Sequence, residues 1–251
     1  MSDFPEVNPA LDSSFALPPD SVAYFVDYEH KRSRLTTFFR FLTVIPPMIW
    51  LAIYGIGAAL VTIYAWFVLL FTAKFPEGAY GFLSNFHRYA TRVNAYAFLA
   101  TDKFPGFSGS PDVPYAAHLL IGPPKDAYSR VKVFFRIILY IPFYIVAYVL
   151  TIVAEVVAIV AWFAIVITGK QPKGLQDALN FCLGFVYRTQ VWYGLLTEDW
   201  PKFSDDEVNR KLAELGYSGT IPPSDGAVAA PAAAAPPTPP VPPAPPAPPT
   251  V

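Results

Sequence analysis

The chain has 251 residues, of which 54% are hydrophobic and only 15% are charged. Soluble domains average about 25% charged residues, so this composition argues against an ordinary soluble enzyme. The formal net charge of −1 excludes the general basic field that nucleic-acid binding uses. A single cysteine, Cys182, excludes an internal disulfide framework and a cysteine-rich zinc site.

The two ends of the chain predict disorder. Residues 1–21 are acidic and lack the basic and apolar regions of a secretory signal, so we expect internal hydrophobic segments to direct membrane insertion. Ser204 and the carboxylates after it predict a short helix over residues 205–217. Residues 218–251 form a proline- and alanine-rich tail, with 13 of the 28 prolines in Pro222–Val251. Such a tail is an extended spacer or a ligand for an aromatic-lined protein groove.

An internal repeat organises the rest of the chain. Shifting the sequence by 96 positions aligns Ser33–Ser108 with Ser129–Ser204 without a gap, and 26 of the 76 pairs are identical. The identities include arginine, tryptophan, proline and glycine, which chance similarity between apolar helices would not match in register. The sequence therefore predicts two tandem copies, over residues 22–108 and 109–204.

The repeated motifs occur in a fixed order. They are Arg34-x₅-Arg40, Ile45-Pro46, Ala65-Trp66-Phe67, Thr72-x-Lys74-x-Pro76-x-Gly78, Arg92 and Asp102-Lys103-Phe104-Pro105-x-Phe107-Ser108. As a set they resemble an actinobacterial membrane protein family, domain of unknown function 4389. The resemblance implies membrane residence and supplies no catalytic residues. The first copy departs from the pattern where Ala73 stands opposite Gly169 and where Pro47 replaces a bulky residue.

Each copy contains a long apolar segment followed by a second helix. Phe41–Ala73 has no charge, and Ile137–Gly169 is interrupted only by Glu155. Both exceed the roughly 20 residues that span a bilayer. Pro46 and Pro142 suggest that short lead-in helices, residues 34–44 and 130–140, precede spans over 47–72 and 143–168. Second helical segments are predicted over residues 82–100 and 175–196.

Three topologies compete for these segments. Each copy crosses once with the copies inverted, or the long segment enters the membrane as a shallow hairpin, or both segments cross and give four spans. Positive residues favour four spans with cytoplasmic termini, because twelve bases then lie on one side and three on the other. The twelve are Lys31, Arg32, Arg34, Arg40, Lys103, Lys125, Arg130, Lys132, Arg136, Lys202, Arg210 and Lys211, and the three are Lys74, Lys170 and Lys173.

Intramembrane charges are the candidate functional groups. Arg92 and Arg188 occupy the same position in the two copies, and a guanidinium in a membrane costs at least about 2.5 kcal/mol unless it is paired. They either orient the helices through carbonyl contacts or bind a lipid headgroup or anionic solute. Glu155, whose counterpart is Ala59, is a candidate partner of Arg88, Arg92 or Arg188, or a proton-relay group.

Other residues predict interactions or their absence. The basic lead-in residues Arg34, Arg40, Arg130 and Arg136, beside paired phenylalanines, predict contact with anionic lipid headgroups. The three histidines have no ligand spacing, so no metal is expected, and no cofactor motif occurs. Apolar stretches over residues 23–28 and 116–121 predict short strands that pair if they lie on one side.

The sequence as a whole predicts an all-α integral membrane protein of two tandem helical hairpins, in the inner cell membrane and multi-pass. We expect no enzyme activity and no nucleic-acid partner. The leading hypothesis is a scaffold or accessory subunit that contacts the lipid bilayer and recruits a protein through its tail, with a homo-oligomer as a further expectation. The alternative is a small transporter or lipid-handling protein that uses the intramembrane arginines and Glu155.

Overall fold

A computed structural model describes residues 19–203. The predicted disorder of residues 1–18, the short helix over 205–217 and the proline-rich tail lie outside the described residues. The elements in chain order are β1 (Val22–Val26), α1 (Arg34–Phe38), α2 (Arg40–Thr43), α3 (Ile45–Thr72), α4 (Glu77–Ala97), β2 (Ala117–Ile121), α5 (Arg130–Phe134), α6 (Arg136–Thr168) and α7 (Lys173–Tyr193).

The lead-in helices start in the same way in both copies. Ser33 caps α1 and Ser129 caps α5, and each hydroxyl accepts a hydrogen bond from a backbone N–H three residues on. A serine at this position satisfies one of the donors that a helix leaves unpaired at its start. The sequence repeat is therefore also a repeat of local structure.

Proline acts differently in the two copies. In the first copy α2 ends at Thr43, and Pro46 and Pro47 lie in the first turn of α3, where the missing N–H costs no hydrogen bond. In the second copy α6 runs without interruption from Arg136 through Pro142 to Thr168. The predicted end of the second lead-in helix at residue 140 is therefore wrong, because the long helix tolerates this proline in its interior.

The predicted short strands are confirmed as a two-stranded antiparallel ribbon. Val22 pairs with Ile121 at one end of the ladder, and Val26 pairs with Ala117 at the other. All five residues of β1 are buried. A ribbon alone would be marginally stable, and here α4 and α7 cover it.

The two copies are packed crosswise. Strand β1, which precedes the first copy, packs on α7 of the second, and β2 packs on α4 of the first. Helix α1 packs on α6, and α5 packs on α3. Each copy thus depends on elements of the other for its buried surface.

Backbone hydrogen bonds connect the start of each copy to the end of the long helix in the other. The N–H of Arg32 donates to Gly169 O at 3.0 Å, and the N–H of Tyr128 donates to Ala73 O at 2.7 Å. These two pairs are related by the 96-residue shift of the repeat. Because each long helix begins where the other ends, α3 and α6 run in opposite directions.

This arrangement corrects the predicted distribution of bases. Lys31 forms an antiparallel bridge with Lys170, and Gln171 N donates to His30 O at 2.9 Å. A membrane cannot separate residues that share backbone hydrogen bonds, so the assignment of Lys170 and Lys31 to opposite sides is wrong. The count of twelve bases against three, on which four spans depended, no longer holds.

Within residues 19–203, two helical stretches are long and apolar enough to cross a membrane: Arg40–Thr72 and Arg136–Thr168, of 33 residues each. The structure does not show four such segments. Helices α4 and α7 have most of one face buried against the strands and the long helices. The coarse prediction of a mostly helical chain with long apolar helices is confirmed.

The long helices expose most of their large apolar side chains. We call the exposed row on each helix its apolar stripe. On α3 the stripe is Ile49, Ile53, Ile56, Leu60, Ile63, Phe67 and Phe71, and on α6 it is Ile145, Val149, Ile152, Val156, Ile159, Phe163 and Ile167. The opposite side of each helix is buried at alanines such as Ala58 and Ala154. Exposed apolar patches of this extent mark a surface that contacts protein or lipid.

Candidate functional site

Arg40 lies at the centre of a buried ionic cluster in the first copy. Its Nη1 donates to the carbonyls of Tyr96 and Thr101 at 2.7 and 2.8 Å, and its Nη2 donates to Asp102 Oδ1 at 2.5 Å. The guanidinium also lies 4.4 Å from the centre of the Tyr96 ring. This arginine therefore joins the start of the long-helix stretch to the end of α4.

Arg136 occupies the same position in the second copy. It is only 2% exposed, and its Nη1 donates to Thr197 O at 3.1 Å. The guanidinium lies 4.3 Å from the centre of the Trp192 ring, where the first copy has Tyr96. Glu198 supplies the nearby negative charge. The two clusters are equivalent in the repeat, and an aromatic ring lies on one face of each guanidinium.

The carboxylates of these clusters also hold the lead-in helices. Asp102 Oδ2 accepts from the N–H of Ser33 at 2.8 Å, and Glu198 Oε1 accepts from the N–H of Ser129 at 2.6 Å. Each carboxylate thus fixes the residue that caps the following helix. In each copy these bonds connect the N-cap serine at the start to the segment that follows the second helix.

Further charges extend each cluster differently. In the first copy, Arg32 is buried, donates to Ala100 O at 2.6 Å and pairs with Glu29 at 3.4 Å. In the second copy, Lys125 pairs with both Asp20 and Glu198. Buried charges are stabilised by pairing and hydrogen bonding. Arg40 has such a pair in Asp102, whereas Arg136 donates to Thr197 O and leaves its buried Nε and Nη2 without a hydrogen-bond partner among the described residues.

These contacts correct one prediction. Arg40 and Arg136 were expected on the membrane surface with Arg34 and Arg130, but both are buried against backbone carbonyls and an aromatic ring. The reason is that they follow the break between the lead-in and long helices, so they point towards the end of the second helix. Arg34 and Arg130 are exposed.

Arg92 is a structural residue of the first copy. It is 6% exposed, and it donates to Ser108 O, Ser110 O and Val113 O at 2.8, 2.8 and 2.9 Å. These carbonyls belong to the loop between α4 and β2. Burial raises the pKa of the neighbouring Tyr115, whose ring therefore stays neutral beside the guanidinium. The Arg92 guanidinium thus contacts three backbone carbonyls of one loop.

Arg188 and Arg88 are partly exposed. Arg188 donates from Nε to Val22 O and from Nη1 to Phe203 O, both at 3.3 Å. It lines a small cleft with Asp20, Thr197 and Trp200. Arg88 donates to Asn85 Oδ1 at 3.2 Å on its own helix. Both therefore hold local backbone or side-chain groups.

Glu155 is exposed on the outer side of α6. It lies one turn from Ile152 and Ile159, both exposed members of the apolar stripe, and Ala59 occupies its position in the first copy. Among residues 19–203 it forms no ion pair with Arg88, Arg92 or Arg188. Arg88 and Arg92 line one small cleft with Tyr115 and His118, whereas Glu155 lies outside that cleft on the exposed side of α6.

A groove of about 430 Å³ lies beside α3 in the first copy. Trp50, Tyr54 and Phe82 form its apolar wall, while Asn85 and Ser108 lie at its polar edge. Trp50 Nε1 donates to Phe107 O at 3.2 Å and holds the loop that borders it. Within residues 19–203 no group of three or more His, Cys, Asp or Glu side chains is placed to hold a metal ion.

Sequence reasoning missed the acidic halves of the two clusters. Asp102 and Glu198 differ in residue type, so a search for identical pairs does not select them, although they are aligned by the repeat. Counting conserved charge in place of identity would have found the pair. No feature of the sequence indicated that Asp20 pairs with Lys125 in the second cluster, because Asp20 precedes the repeat and has no equivalent in it.

The comparisons with known proteins agree with the internal repeat. The family model described as "Domain of unknown function (DUF4389)" matches residues 34–108 and again residues 130–205. The two matches coincide with the two tandem copies. No similar protein of curated function and no similar solved structure was found.

Proposed function

Because the chain belongs to the DUF4389 family, with two tandem copies of its domain, we propose that it is a non-catalytic accessory subunit or scaffold of a protein assembly in the cell membrane. The termini are cytoplasmic in this proposal, and the proline-rich tail over residues 218–251 recruits a soluble partner. The observation that carries the proposal is the position of Glu155 on the apolar stripe of α6.

The surface supports membrane residence. The fourteen stripe residues of α3 and α6 are large, apolar and exposed along helices without a compensating polar outer face. The buried arginines of the two clusters are used internally by carbonyls and carboxylates. The long helices thus place apolar side chains outside and keep the arginines at their starts, Arg40 and Arg136, inside, as a membrane-embedded framework requires.

Glu155 supports a protein partner. Ionisable residues within membrane segments almost always face the interior of a bundle or a water-filled cavity. In this chain Glu155 faces outwards, away from the described arginines. We infer that a membrane segment of another subunit covers it and supplies a hydrogen-bond donor. The transporter alternative lacks this support, because within residues 19–203 Glu155 forms no ion pair with Arg88, Arg92 or Arg188.

The repeat provides a matched experiment for this contact. A photo-crosslinking amino acid is introduced at Ile152 or Val156 beside Glu155, and at the equivalent Ile56 or Leu60 of the first copy as a control. We expect a protein adduct at the first two positions and lipid adducts at the other two. Glu155→Ala, which recreates the Ala59 surface, should abolish the protein adduct without changing thermal stability.

Other outcomes contradict the proposal. Equal protein capture at all four positions, or capture that survives Glu155→Ala, shows that the carboxylate does not select a partner. An adduct of twice the chain mass identifies a homo-oligomer in place of an accessory subunit. Deleting residues 222–251 tests the tail separately, because an unchanged set of co-purified soluble proteins excludes its recruiting role.

A further inference from the structure

The long helices have two equivalent ends. At the first end of the molecule, α1 begins beside the turn that follows α6. At the second end, α5 begins beside the turn that follows α3. The hydrogen bonds Arg32 N to Gly169 O and Tyr128 N to Ala73 O define them. The side of the membrane on which each end lies therefore determines how the chain is inserted.

Exposed bases are distributed evenly between the ends. The first end carries Lys31, Arg34, Lys103, Lys170 and Lys173, and the second carries Lys74, Arg130, Lys132 and Lys202. Segments that cross a membrane normally have an excess of Lys and Arg on the cytoplasmic side only. Five bases against four give no such asymmetry. Both ends have the character of cytoplasmic flanks.

The exposed apolar surface is too long for a perpendicular crossing. Each helical stretch has 33 residues, which corresponds to about 50 Å, whereas the hydrocarbon core is about 30 Å thick. Exposed apolar side chains begin still earlier, at Leu35 in α1 and Val131 in α5.

The ribbon gives the same indication. Asp20, just before β1, contacts Lys125 at the second end, while Arg32, after β1, lies at the first end. The strands therefore run between the same two ends as α3 and α6. A crossing would place the ribbon and the polar loop before β2 at membrane depth, where lipid-exposed strand edges and loops do not occur.

We propose that α3 and α6 lie in the plane of the membrane, with their apolar stripes immersed in the hydrocarbon of the cytoplasmic leaflet. Helices α4 and α7 and the ribbon cover them from the cytoplasmic side. An ordinary interfacial helix turns a polar face towards water. Here the side of α3 and α6 away from the membrane is instead covered by α4, α7 and the ribbon. The proposal rests on the membrane residence proposed above but not on a partner at Glu155.

Depth measurements along α3 test this directly. Spin labels at Ile49, Ile56 and Ile63 are introduced by cysteine substitution in a Cys182→Ala background, and the protein is reconstituted in anionic phospholipid vesicles. Ile49 and Ile63 lie 14 residues apart, which is about 21 Å along the helix. An in-plane helix gives the same depth at all three sites, as judged from relaxation by oxygen and by a water-soluble nickel complex.

A crossing helix gives a different pattern. Depths that differ by about 10 Å or more among the three labels overturn the in-plane arrangement while leaving membrane residence intact. Labels that are protected from both relaxing agents, with short distances between copies of the chain, show that a second copy covers the stripe. Free access to nickel at all three sites contradicts membrane residence itself, and with it the proposed function.

Sidedness provides an independent measurement. Single cysteines at Glu77 and Gly174 report the second and first ends, and both positions are exposed, with no atom within 4 Å of a Cβ added at Gly174. We expect an impermeant maleimide to label both only after the cells are lysed. Labelling of one position from outside shows inverted crossings, and labelling of both places the two ends on the outer side of the membrane, so either result overturns the proposal.

Discussion

The indole N–H of Trp66 donates to the carbonyl of Val133 at 3.0 Å and thereby fastens α3 of the first copy to the lead-in helix of the second. The repeat reproduces the contact in the opposite sense, since Trp162 Nε1 donates to Thr37 O at 3.1 Å. From their position near the ends of apolar segments, both tryptophans resemble membrane-interface anchors. In the structure their indole hydrogen bonds are among those that join one copy to the other.

Replacing Trp66 by phenylalanine should lower the free energy of unfolding by about 1 kcal/mol, because the Val133 carbonyl loses its partner. Trp162→Phe should cost a similar amount. The two bonds lie at opposite ends, so the double variant should show the sum of the single effects. Denaturant unfolding in lipid bicelles measures all three, and single variants as stable as the parent would show that the indole bonds contribute nothing.

The buried arginines should dominate the response to charge removal. Arg40→Gln leaves Asp102 without its main partner and removes the cation from the Tyr96 ring, so we expect a loss of about 3–5 kcal/mol. Arg34→Gln is the matched control, because Arg34 is exposed on the same lead-in segment and should change stability by less than about 0.5 kcal/mol. Equal effects of the two substitutions would contradict a structural role for the cluster.

The sequence predicted local features better than their assembly. The duplication, the strand pair and the apolar helices follow from residues that are neighbours along the chain. Apolar periodicity identifies which face of α3 is hydrophobic but not which copy covers it, so the contact of α1 with α6 had no local signal. The topology prediction failed for this reason: Lys170 looks like a distal turn residue until its pairing with Lys31 is known.

The same limit applies to the charged residues. Arg40 and Arg92 look alike in sequence, as single arginines beside apolar segments. Their environments are set by carbonyls contributed from 56 or more and from 16–21 positions away, respectively. An arginine that recurs at equivalent positions of the two copies serves either the fold or the function of both. The recurrence does not show what the guanidinium contacts.

His87 should make stability depend on pH. Burial lowers its pKa from 6.5 to about 4, and its ring packs against Gly194, where an added Cβ would lie 2.6 Å from Nε2. Below pH 6.5 the unfolded chain binds a proton that the folded chain does not, so the stabilisation present above pH 6.5 is lost progressively towards pH 4. The slope is at most about 1.4 kcal/mol per pH unit.

The second copy has leucine, Leu183, at the position of His87, which suggests the test substitution. Between pH 6.5 and 5, the free energy of unfolding of the parent should fall by up to about 2 kcal/mol more than that of His87→Leu. His30 and His118 are present in both proteins, so their titration cancels in the comparison. Parallel pH profiles for the two proteins would show that His87 is protonated as readily in the folded chain as in the unfolded chain.

The residues that end the two long helices can be exchanged between the copies as a test. Ala73 and Gly169 are equivalent C-cap residues with φ of 58° and 72°, a left-handed conformation that costs a non-glycine residue about 1–2 kcal/mol. Ala73→Gly should therefore stabilise the chain by about 1 kcal/mol, and Gly169→Ala should destabilise it by at least as much. A Cβ at position 169 would also lie 3.1 Å from Arg34 Nε, so that side chain must shift. Thermal unfolding of both variants measures the exchange, and effects of the same sign would show that the backbone conformation of these caps is not what distinguishes the two copies.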